Sequence, residues 1–468
     1  MNRLAHVDAA VVALYFCTTL LIGLFTSRGI STVQQYVLGD RKQYSTWTLS
    51  VALFATVVGG ATTIGQASKI FAEGLVWLVS GFGLSLALGR FVTALWIAPA
   101  MRRRFDRELS VGEIMNTLYG KPARVVTGIA AATASLGFVG AQMGAMGMVF
   151  HSFFPLSAEA GIAIACGLVV IYACLGGIRS VTTTDIWQFA VLAMALPLLA
   201  YQAIAHAGGL HALFQHVPSG HLTVLGRPDW QKHLSVFVLM AIPYLGPAYV
   251  QRLLMTRDAA QARDCMLVST VVQVILSVLI ALIALGMVAT NSQLNPALTL
   301  PHAVDAWLGF GLKGLGIASL FAVTMSTADS YLHVAAVSLV HDVVQPLRRV
   351  AMPDDKELIW MRVATLILGF GSMWAAISYK SIVGLLLASL SFWVPIVLPP
   401  LFAGIFGYRL GVQAFCLAAT AGALTTWGWQ QTCLEVTSIA PTLPGLLANA
   451  LVLWMVYLWR KVRCALHW

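Results

Sequence analysis

The sequence predicts an all-α membrane protein that crosses the lipid bilayer many times. Of its 468 residues, 59% are hydrophobic and only 10% are charged, with a mean hydropathy of +0.82. Soluble proteins carry about 25% charged residues, so this composition excludes an ordinary soluble domain. Apolar runs of about 20 residues recur along the whole chain, and each is long enough to cross the hydrocarbon core. Helices are expected because backbone polar groups in lipid must be satisfied within the protein.

We predict thirteen hydrophobic spans within a single membrane domain, residues 1–468. The first span, 7–28, is too long for a signal peptide and lacks a small-residue cleavage site, so we interpret it as a retained helix. The remaining spans are predicted at 47–69, 74–101, 123–150, 157–176, 183–206, 233–255, 264–290, 313–345, 357–379, 382–407, 411–431 and 443–463.

The net charge of +10 is explained by the orientation of these spans in the membrane. With the N-terminus outside and the C-terminus inside, the loop holding Arg28, Arg41 and Lys42 is cytoplasmic, as is the basic cluster at 102–107. About 21 of the 28 basic residues then lie on one side, as the positive-inside rule requires. Lipid headgroups are therefore the expected partner of these charges, and nucleic acid is not. We expect a multi-pass protein of an inner (cytoplasmic) or plasma membrane.

Catalysis is not indicated by any motif in the sequence. The seven cysteines are scattered, without a CxxC pair or a Cys/His cluster, so neither disulfides nor zinc are expected. The sequence also lacks a phosphate-binding loop, and the His-Asp pair at 341–342 is too sparse for an active site. We predict that the protein is not an enzyme.

Two spans contain backbone breakers near their middle. The second carries Gly59, Gly60 and Gly65 in ATVVGGATTIGQ (55–66), and the seventh carries prolines and a glycine in AIPYLGPAYVQR (241–252). Glycines also serve close helix packing, which is the alternative interpretation of the first segment. However, these two spans each open a block of five spans, and the two blocks have opposite orientations. Interrupted helices at matching positions of inverted repeats indicate the binding site of a secondary transporter.

Several motifs resemble the sodium:solute symporter family, which includes proline, pantothenate, sialic acid and sodium–glucose transporters. In chain order they are YFCTTLLIGLFTSRGISTVQQYVLGDR (15–41), GGIRSVTTTDIWQ (176–188), PAYVQRLLMTRDAAQAR (247–263) and AVTMSTADS (322–330) with HD at 341–342. The resemblance implies the leucine-transporter fold and transport by alternating access. It implies five-helix repeats at 47–206 and 233–407, an extra N-terminal helix at 7–28 and extra C-terminal helices at 411–463.

The resemblance also implies a sodium site between the second and ninth spans. Its ligands are carbonyl oxygens on the second span and a carbonyl with two hydroxyls on the ninth, which correspond here to Ala61, Ile64, Val323, Ser326 and Thr327. Val323, Ser326 and Thr327 share one helix face by their i, i+3, i+4 spacing. Oxygen ligands suit a hard cation such as sodium. The alternative is that both hydroxyls only bond to carbonyls one turn earlier in their own helix.

Some members of this family have a second sodium site, which would involve Asp185, Asp329 and Ser330 here. An ionised carboxylate inside a membrane protein is costly and is usually functional. For Asp185 the alternative is an anion at the start of the sixth span, where it would stabilise the exposed amides with Thr183 or Thr184 as the cap. The sequence leaves coupling to one or to two sodium ions open.

The solute is expected near the two broken helices. The candidate contacts are Thr62, Thr63, Gln66, Arg90, Gln142, Tyr244 and Pro247, and Tyr244 and Trp393 are candidates for a gate. Arg90 either pairs with an anionic group of the solute or has a structural role, as a side chain that extends to the membrane interface or as part of an ion pair. Proline-transporting members of the family carry an aspartate after the break of the second span, where this chain has Thr63. Sugar-transporting members place acidic and amide side chains around the substrate, and we find no match for these in this chain. We therefore favour a zwitterionic or carboxylate-bearing solute.

These observations predict a sodium-coupled symporter of a small polar organic solute, working as a monomer in the lipid bilayer. One alternative is a transporter-like membrane sensor that acts with a separate signalling partner. Another is a proton-coupled symporter, in which His333 would carry the proton, since histidine is the side chain whose ordinary pKa lies near neutral pH.

Overall fold

A computed structural model of the chain describes residues 5–40, 43–379, 381–437 and 439–466. These residues form helices and contain no β-strand, as predicted. Arg41 and Lys42, which we counted among the cytoplasmic basic residues, lie outside the described residues.

The helices follow one another with mostly short connections. Those of the first half of the chain are α1 (His6–Thr26), α2 (Val33–Leu38), α3 (Thr46–Val57), α4 (Ala61–Glu73), α5 (Leu75–Arg104), α6 (Val111–Tyr119), α7 (Lys121–Phe153), α8 (Ala158–Cys174) and α9 (Gly176–His206). Those of the second half are α10 (Leu210–His216), α11 (Ser219–Leu222), α12 (Trp230–Ala241), α13 (Pro247–Leu254), α14 (Ala259–Thr290), α15 (Thr299–Trp307), α16 (Leu312–Val337), α17 (Asp354–Ser378), α18 (Ile382–Ile405), α19 (Gly411–Thr432), α20 (Leu434–Thr437) and α21 (Thr442–Leu466).

Several of these helices are irregular. Helices α8 and α9 form one run that bends at Gly177, whose φ of 52° places it in the left-handed region that favours glycine. Helix α16 continues into a wide turn at Ser338–Val344. Among the described residues, eight helices are long and apolar enough to cross a membrane, or nine if the bent pair α3–α4 counts as one crossing. The full set of thirteen crossings and their orientation remain predictions.

Both predicted helix breaks are present. Helix α3 ends at Val57 and α4 begins at Ala61, and the two are bent by 66° relative to each other. Helix α12 ends at Ala241 and α13 begins at Pro247, where proline is well placed because the first helical amide has no partner within the helix. The two breaks therefore lie in the first element of each predicted repeat.

Helix α16 lies at the centre of the molecule. Every residue from 316 to 338 is buried, although this stretch contains serines, threonines, an aspartate and a histidine. It packs against α1, α7, α9 and α17, so its polar groups must find partners on those helices or on the broken segments beside it.

Charged side chains join α4 to α12, on the Glu73 side of the first break. Glu73 accepts hydrogen bonds from Lys69 at 3.0 Å and from Lys232 at 2.9 Å, and Lys232 belongs to α12. Close by, the Arg227 guanidinium bonds to Asp229 at 2.9 Å and helps to lower the pKa of that carboxyl to about 2, so Asp229 is ionised at neutral pH. These contacts hold α4, the second half of one broken span, beside α12, the first half of the other broken span.

The glycines of the first break allow close packing as well as irregular backbone. A Cβ atom added at Gly60 would lie 2.5 Å from the Cβ atom of Ala145 on α7, which is closer than two carbon atoms approach. The helix-packing interpretation of this glycine is therefore also correct.

We predict that Gly60→Ala lowers the apparent melting temperature of the purified protein. The added methyl group overpacks the α4–α7 contact, and overpacking destabilises by about 1–3 kcal/mol. Gly167→Ala on α8 is the matched control, because a Cβ atom there would meet nothing within 4 Å. Equal melting temperatures for the two variants would contradict the close contact.

Candidate ion and solute site

The break between α3 and α4 is held open by side chains that replace lost helical hydrogen bonds. The Gly59 amide donates to the Thr62 hydroxyl at 2.9 Å, and the Gly60 amide donates to the Gln142 side-chain oxygen. Val58 has extended backbone angles, which end α3. Since the last carbonyls of a helix have no partner within it, the end of α3 offers free oxygen atoms inside the protein.

Thr327 of α16 reaches these free carbonyl oxygens. Its hydroxyl lies 2.8 Å from the Ala55 carbonyl oxygen and 3.1 Å from the Val58 carbonyl oxygen. One residue earlier, the Ser326 hydroxyl donates to the Val323 carbonyl at 3.2 Å. A small cavity is lined by Ala55, Val58, Val323 and Ser326. Carbonyl and hydroxyl oxygens thus meet where α16 crosses the break.

This geometry changes which carbonyl groups of the second span are candidates. Ala61 and Ile64, the two residues predicted to supply these carbonyls, both belong to α4, which begins after the break. The oxygens beside Thr327 are those of Ala55 and Val58, because they end α3 and so lack the next helical turn. The signal was available in the sequence, since the pair Gly59-Gly60 marks where α3 stops.

Gln188 on α9 lines the same small cavity and was not selected from the sequence. Its side-chain oxygen is buried and has no hydrogen-bond partner among the described residues. Its side-chain nitrogen points to the Tyr15 hydroxyl at 3.4 Å, which fixes the orientation of the amide. A buried acceptor without a partner is costly, so this oxygen is suited to a cation.

A second, larger cavity adjoins the break and is lined by residues of α3, α4, α7 and α16, among others. Its lining is mainly apolar and aromatic, with rings from Phe82, Phe138, Tyr244, Tyr249 and Tyr331. The polar side chains that line it include those of Thr62, Gln142 and Thr327. Thr327 therefore touches both the larger cavity and the carbonyl oxygens of α3.

Comparison with known proteins identifies the family. The model of the sodium:solute symporter family matches residues 36–422, which is most of the chain. The chain belongs to the sodium:solute symporter family. The resemblance found in the sequence motifs is thus confirmed, as is the prediction that the protein is not an enzyme.

Relatives and a solved structure agree with this assignment. The high-affinity proline transporter PutP of Bacillus subtilis (strain 168) is 26% identical over 74% of this chain and 76% of its own length. The human high affinity choline transporter 1 is 23% identical over 86% of this chain and 73% of its own. The substrate-bound outward-open state of a Na+-coupled sialic acid symporter matches with a TM-score of 0.80, at 16% identity and 96% coverage of both chains. The leucine-transporter-type fold is therefore shared, and sodium-coupled symport by a multi-pass membrane protein is supported.

The residues predicted for a second sodium site in this symporter are divided between two sets of partners. Asp185 and Ser330 both accept hydrogen bonds from Arg252 on α13, each at 2.9 Å. Asp329 instead accepts from the Tyr172 hydroxyl at 3.0 Å and from the Thr184 hydroxyl at 3.4 Å. The alternative capping role of Asp185 is wrong, because α9 begins at Gly176 and Asp185 lies buried in its interior.

Four of the candidate solute contacts lie outside the lining of the larger cavity. The Thr63 hydroxyl donates to the Gly59 carbonyl at 2.8 Å, and the Gln66 side-chain nitrogen lies 3.5 Å from the Ser277 carbonyl. Pro247 forms the first residue of α13. Arg90 lies behind the cavity wall, in contact with Tyr249.

Arg90 is buried among hydroxyl groups. Its guanidinium donates to the Tyr249 hydroxyl and the Ser269 hydroxyl, both at 2.6 Å, and to the Thr270 hydroxyl at 3.2 Å. Because the Tyr249 oxygen accepts from Arg90, its own hydrogen is free to be donated elsewhere. Since Tyr249 lines the larger cavity, Arg90 places positive charge one residue behind that wall.

Trp393 supports the break in the seventh span and does not line the larger cavity. Its indole N–H donates to the Leu245 carbonyl at 2.9 Å, and its side chain is fully buried. Leu245 lies between α12 and α13, where a backbone carbonyl has no helical partner.

We predict that Trp393→Phe lowers the apparent melting temperature, since the buried Leu245 carbonyl loses its partner at a cost of about 1–3 kcal/mol. Trp374→Phe on α17 is the control, because the Trp374 side chain is 72% exposed. The proposed support is wrong if the thermal unfolding curves of the two variants coincide.

Proposed function

We propose that this protein is a sodium-coupled symporter that moves a small organic solute across the membrane by alternating access. The observation that carries the proposal is the position of Thr327. Its hydroxyl lies at the carbonyl oxygens of Ala55 and Val58, and its side chain also lines the larger cavity. An ion bound on one side of this residue and a solute bound on the other would stabilise the same arrangement of α3 and α16.

The sodium ligands in this proposal are the carbonyl oxygens of Ala55, Val58 and Val323 with the hydroxyls of Ser326 and Thr327. All are neutral oxygen atoms, which suit an ion that must be released as well as bound. Gln188 adds a sixth oxygen from α9, since its unpaired side-chain oxygen lines the same cavity. Sodium would then connect the broken second span to α9 and α16.

For the solute we propose a carboxylate group joined to an apolar body, as in an apolar amino acid. The aromatic and aliphatic lining suits the apolar part. The free hydrogen of the Tyr249 hydroxyl, reinforced by the charge of Arg90, suits the carboxylate. Similarity to a bacterial proline transporter supports this class.

A quaternary ammonium solute is the second candidate, because aromatic rings attract such cations and a choline transporter is among the relatives. The positive charge of Arg90 behind Tyr249 disfavours it.

We predict that Thr327→Val abolishes the rise in melting temperature that sodium produces in the purified protein. The substitution keeps the shape of the side chain but removes the hydroxyl at the α3 carbonyl oxygens. A ligand present at 100 times its Kd stabilises by about 2.7 kcal/mol, so the wild-type effect is measurable.

Thr324→Val is the matched control for that experiment. Thr324 is equally buried on α16, but its hydroxyl bonds only to the Leu320 and Phe321 carbonyls of its own helix. Melting curves should be recorded with sodium replaced by N-methyl-D-glucamine at constant ionic strength. If Thr327→Val responds to sodium as Thr324→Val does, the sodium site is misplaced.

The solute class is tested by a thermal-shift screen of amino acids, other carboxylates, choline and sugars, each with and without sodium. We expect proline or another apolar amino acid to stabilise the protein, and to do so more strongly with sodium, because linkage between two bound ligands is reciprocal. Uptake of the best ligand into proteoliposomes should then require a sodium gradient. Binding without uptake would favour the sensor, and uptake driven by a pH gradient alone would favour the proton-coupled alternative.

A further inference from the structure

Arg252 is the most deeply buried cation of the described chain that contacts a carboxylate. Its side chain is 1% exposed and that of Asp185 is 0% exposed, and the two are joined at 2.9 Å. It lies on α13, the second half of the broken seventh span, whereas its partners lie on α9 and α16. The side chain therefore connects three helices close to the proposed sodium site.

The guanidinium of Arg252 contacts two of the three residues predicted for a second sodium, Asp185 and Ser330. One terminal nitrogen, Nη2, donates to both the Asp185 carboxylate and the Ser330 hydroxyl, each at 2.9 Å. The other, Nη1, donates to the Thr182 hydroxyl at 2.8 Å. The Thr182 hydroxyl in turn donates to the Ile178 carbonyl, so its remaining lone pairs face Arg252. A carboxylate and two hydroxyls thus surround a positive charge that belongs to the protein.

This arrangement is fixed by its surroundings. Helix α13 is buried along its whole length, and the side chain of the neighbouring Gln251 donates to the Val37 carbonyl of α2 at 2.8 Å. Arginine remains charged at any physiological pH, unlike lysine or histidine in a buried site. A sodium ion at the same oxygens would have to displace the guanidinium or bind against its like charge, and both are unfavourable.

We propose that Arg252 is a built-in cation that takes the place of a second sodium ion, so that this symporter binds one sodium per chain. The inference rests on the proposed function, because it assumes the sodium site formed by Ala55, Val58, Val323, Ser326 and Thr327. It also assigns Asp185 and Ser330 to the binding of Arg252 and removes them from the set of sodium ligands.

The test is the number of sodium ions bound per chain, measured by equilibrium binding of radioactive sodium to the purified protein. N-methyl-D-glucamine should be the replacement cation that keeps the ionic strength constant. Choline is not used for this purpose because it is a candidate solute. We expect one ion for the wild type and two for Arg252→Met, which keeps a long side chain but leaves the Asp185 carboxylate and both hydroxyls available. Arg252→Lys keeps the charge and should bind one.

Adding Asp185→Asn to Arg252→Met should return the number from two to one, because the new site loses its carboxylate. This double variant also removes both buried charges, so it provides a folded reference if Arg252→Met alone proves unstable. In that case the wild type and Arg252→Lys still test the proposal, since two ions bound to either would overturn it. Folded Arg252→Met that binds one ion would overturn it as well.

Failure of the proposed function gives a different result in the same experiment. If the wild type binds no sodium, or if Thr327→Val binds as much as the wild type, the sodium site itself is wrong. If Thr327→Val lowers the bound sodium but the wild type binds two ions, only the role of Arg252 is wrong.

Discussion

The structure depends on one unfavourable feature, a row of helix-terminal carbonyl oxygens on residues that are buried inside the protein. At the end of α3, the carbonyls of Ala55 and Val58 have lost the next turn of their own helix. Leaving such groups unpaired in a dry interior is costly, and this cost explains the polar residues placed around them. Thr62 and Gln142 satisfy the amides of the break, and Thr327 satisfies the carbonyls. A helix as polar as α16 can be buried at the centre because the break supplies partners for Thr327, while α8, α9 and α13 supply them for Asp329 and Ser330.

In the proposed function, the same feature would connect ion binding to solute binding without any direct contact between the two ligands. The Thr327 hydroxyl can donate to the α3 carbonyls only while α16 lies against them. A cation bound by that hydroxyl and by the carbonyls would replace these hydrogen bonds with a stronger link. The larger cavity shares Thr327 and the residues of the break, so its shape follows the same contact. The proposed coupling would thus be a property of one helix crossing, and reciprocal linkage between the ligands would follow from it.

Much of the fold could be predicted from the sequence, because a lipid environment permits few backbone structures. Composition and apolar run length predict helices, and Gly59, Gly60, Pro243 and Pro247 predict the two breaks. Spacing alone places Val323, Ser326 and Thr327 on one face. Side-chain partners across helices were harder to predict. The guanidinium of Arg252 bonds to residues on two other helices, and the unpaired oxygen of Gln188 is apparent only once α9 is packed beside α16. The carbonyl pair differed because the resemblance assigned Ala61 and Ile64, which follow the Gly59-Gly60 pair, whereas the carbonyls freed by the end of α3 precede it.

The charged contacts on the two sides of the seventh-span break differ in their access to solvent. Before the break, Lys232 is 44% exposed where it meets Glu73, whereas after it Arg252 and Asp185 are almost completely enclosed. Water and dissolved salt weaken the first contact and hardly reach the second. Separating α4 from α12 should therefore be easy and sensitive to ionic strength, while pulling α13 away from α9 should be difficult and insensitive to it. The two halves of the seventh span would then be held to their neighbouring helices with unequal strength, and the weaker contact would be the one at Glu73.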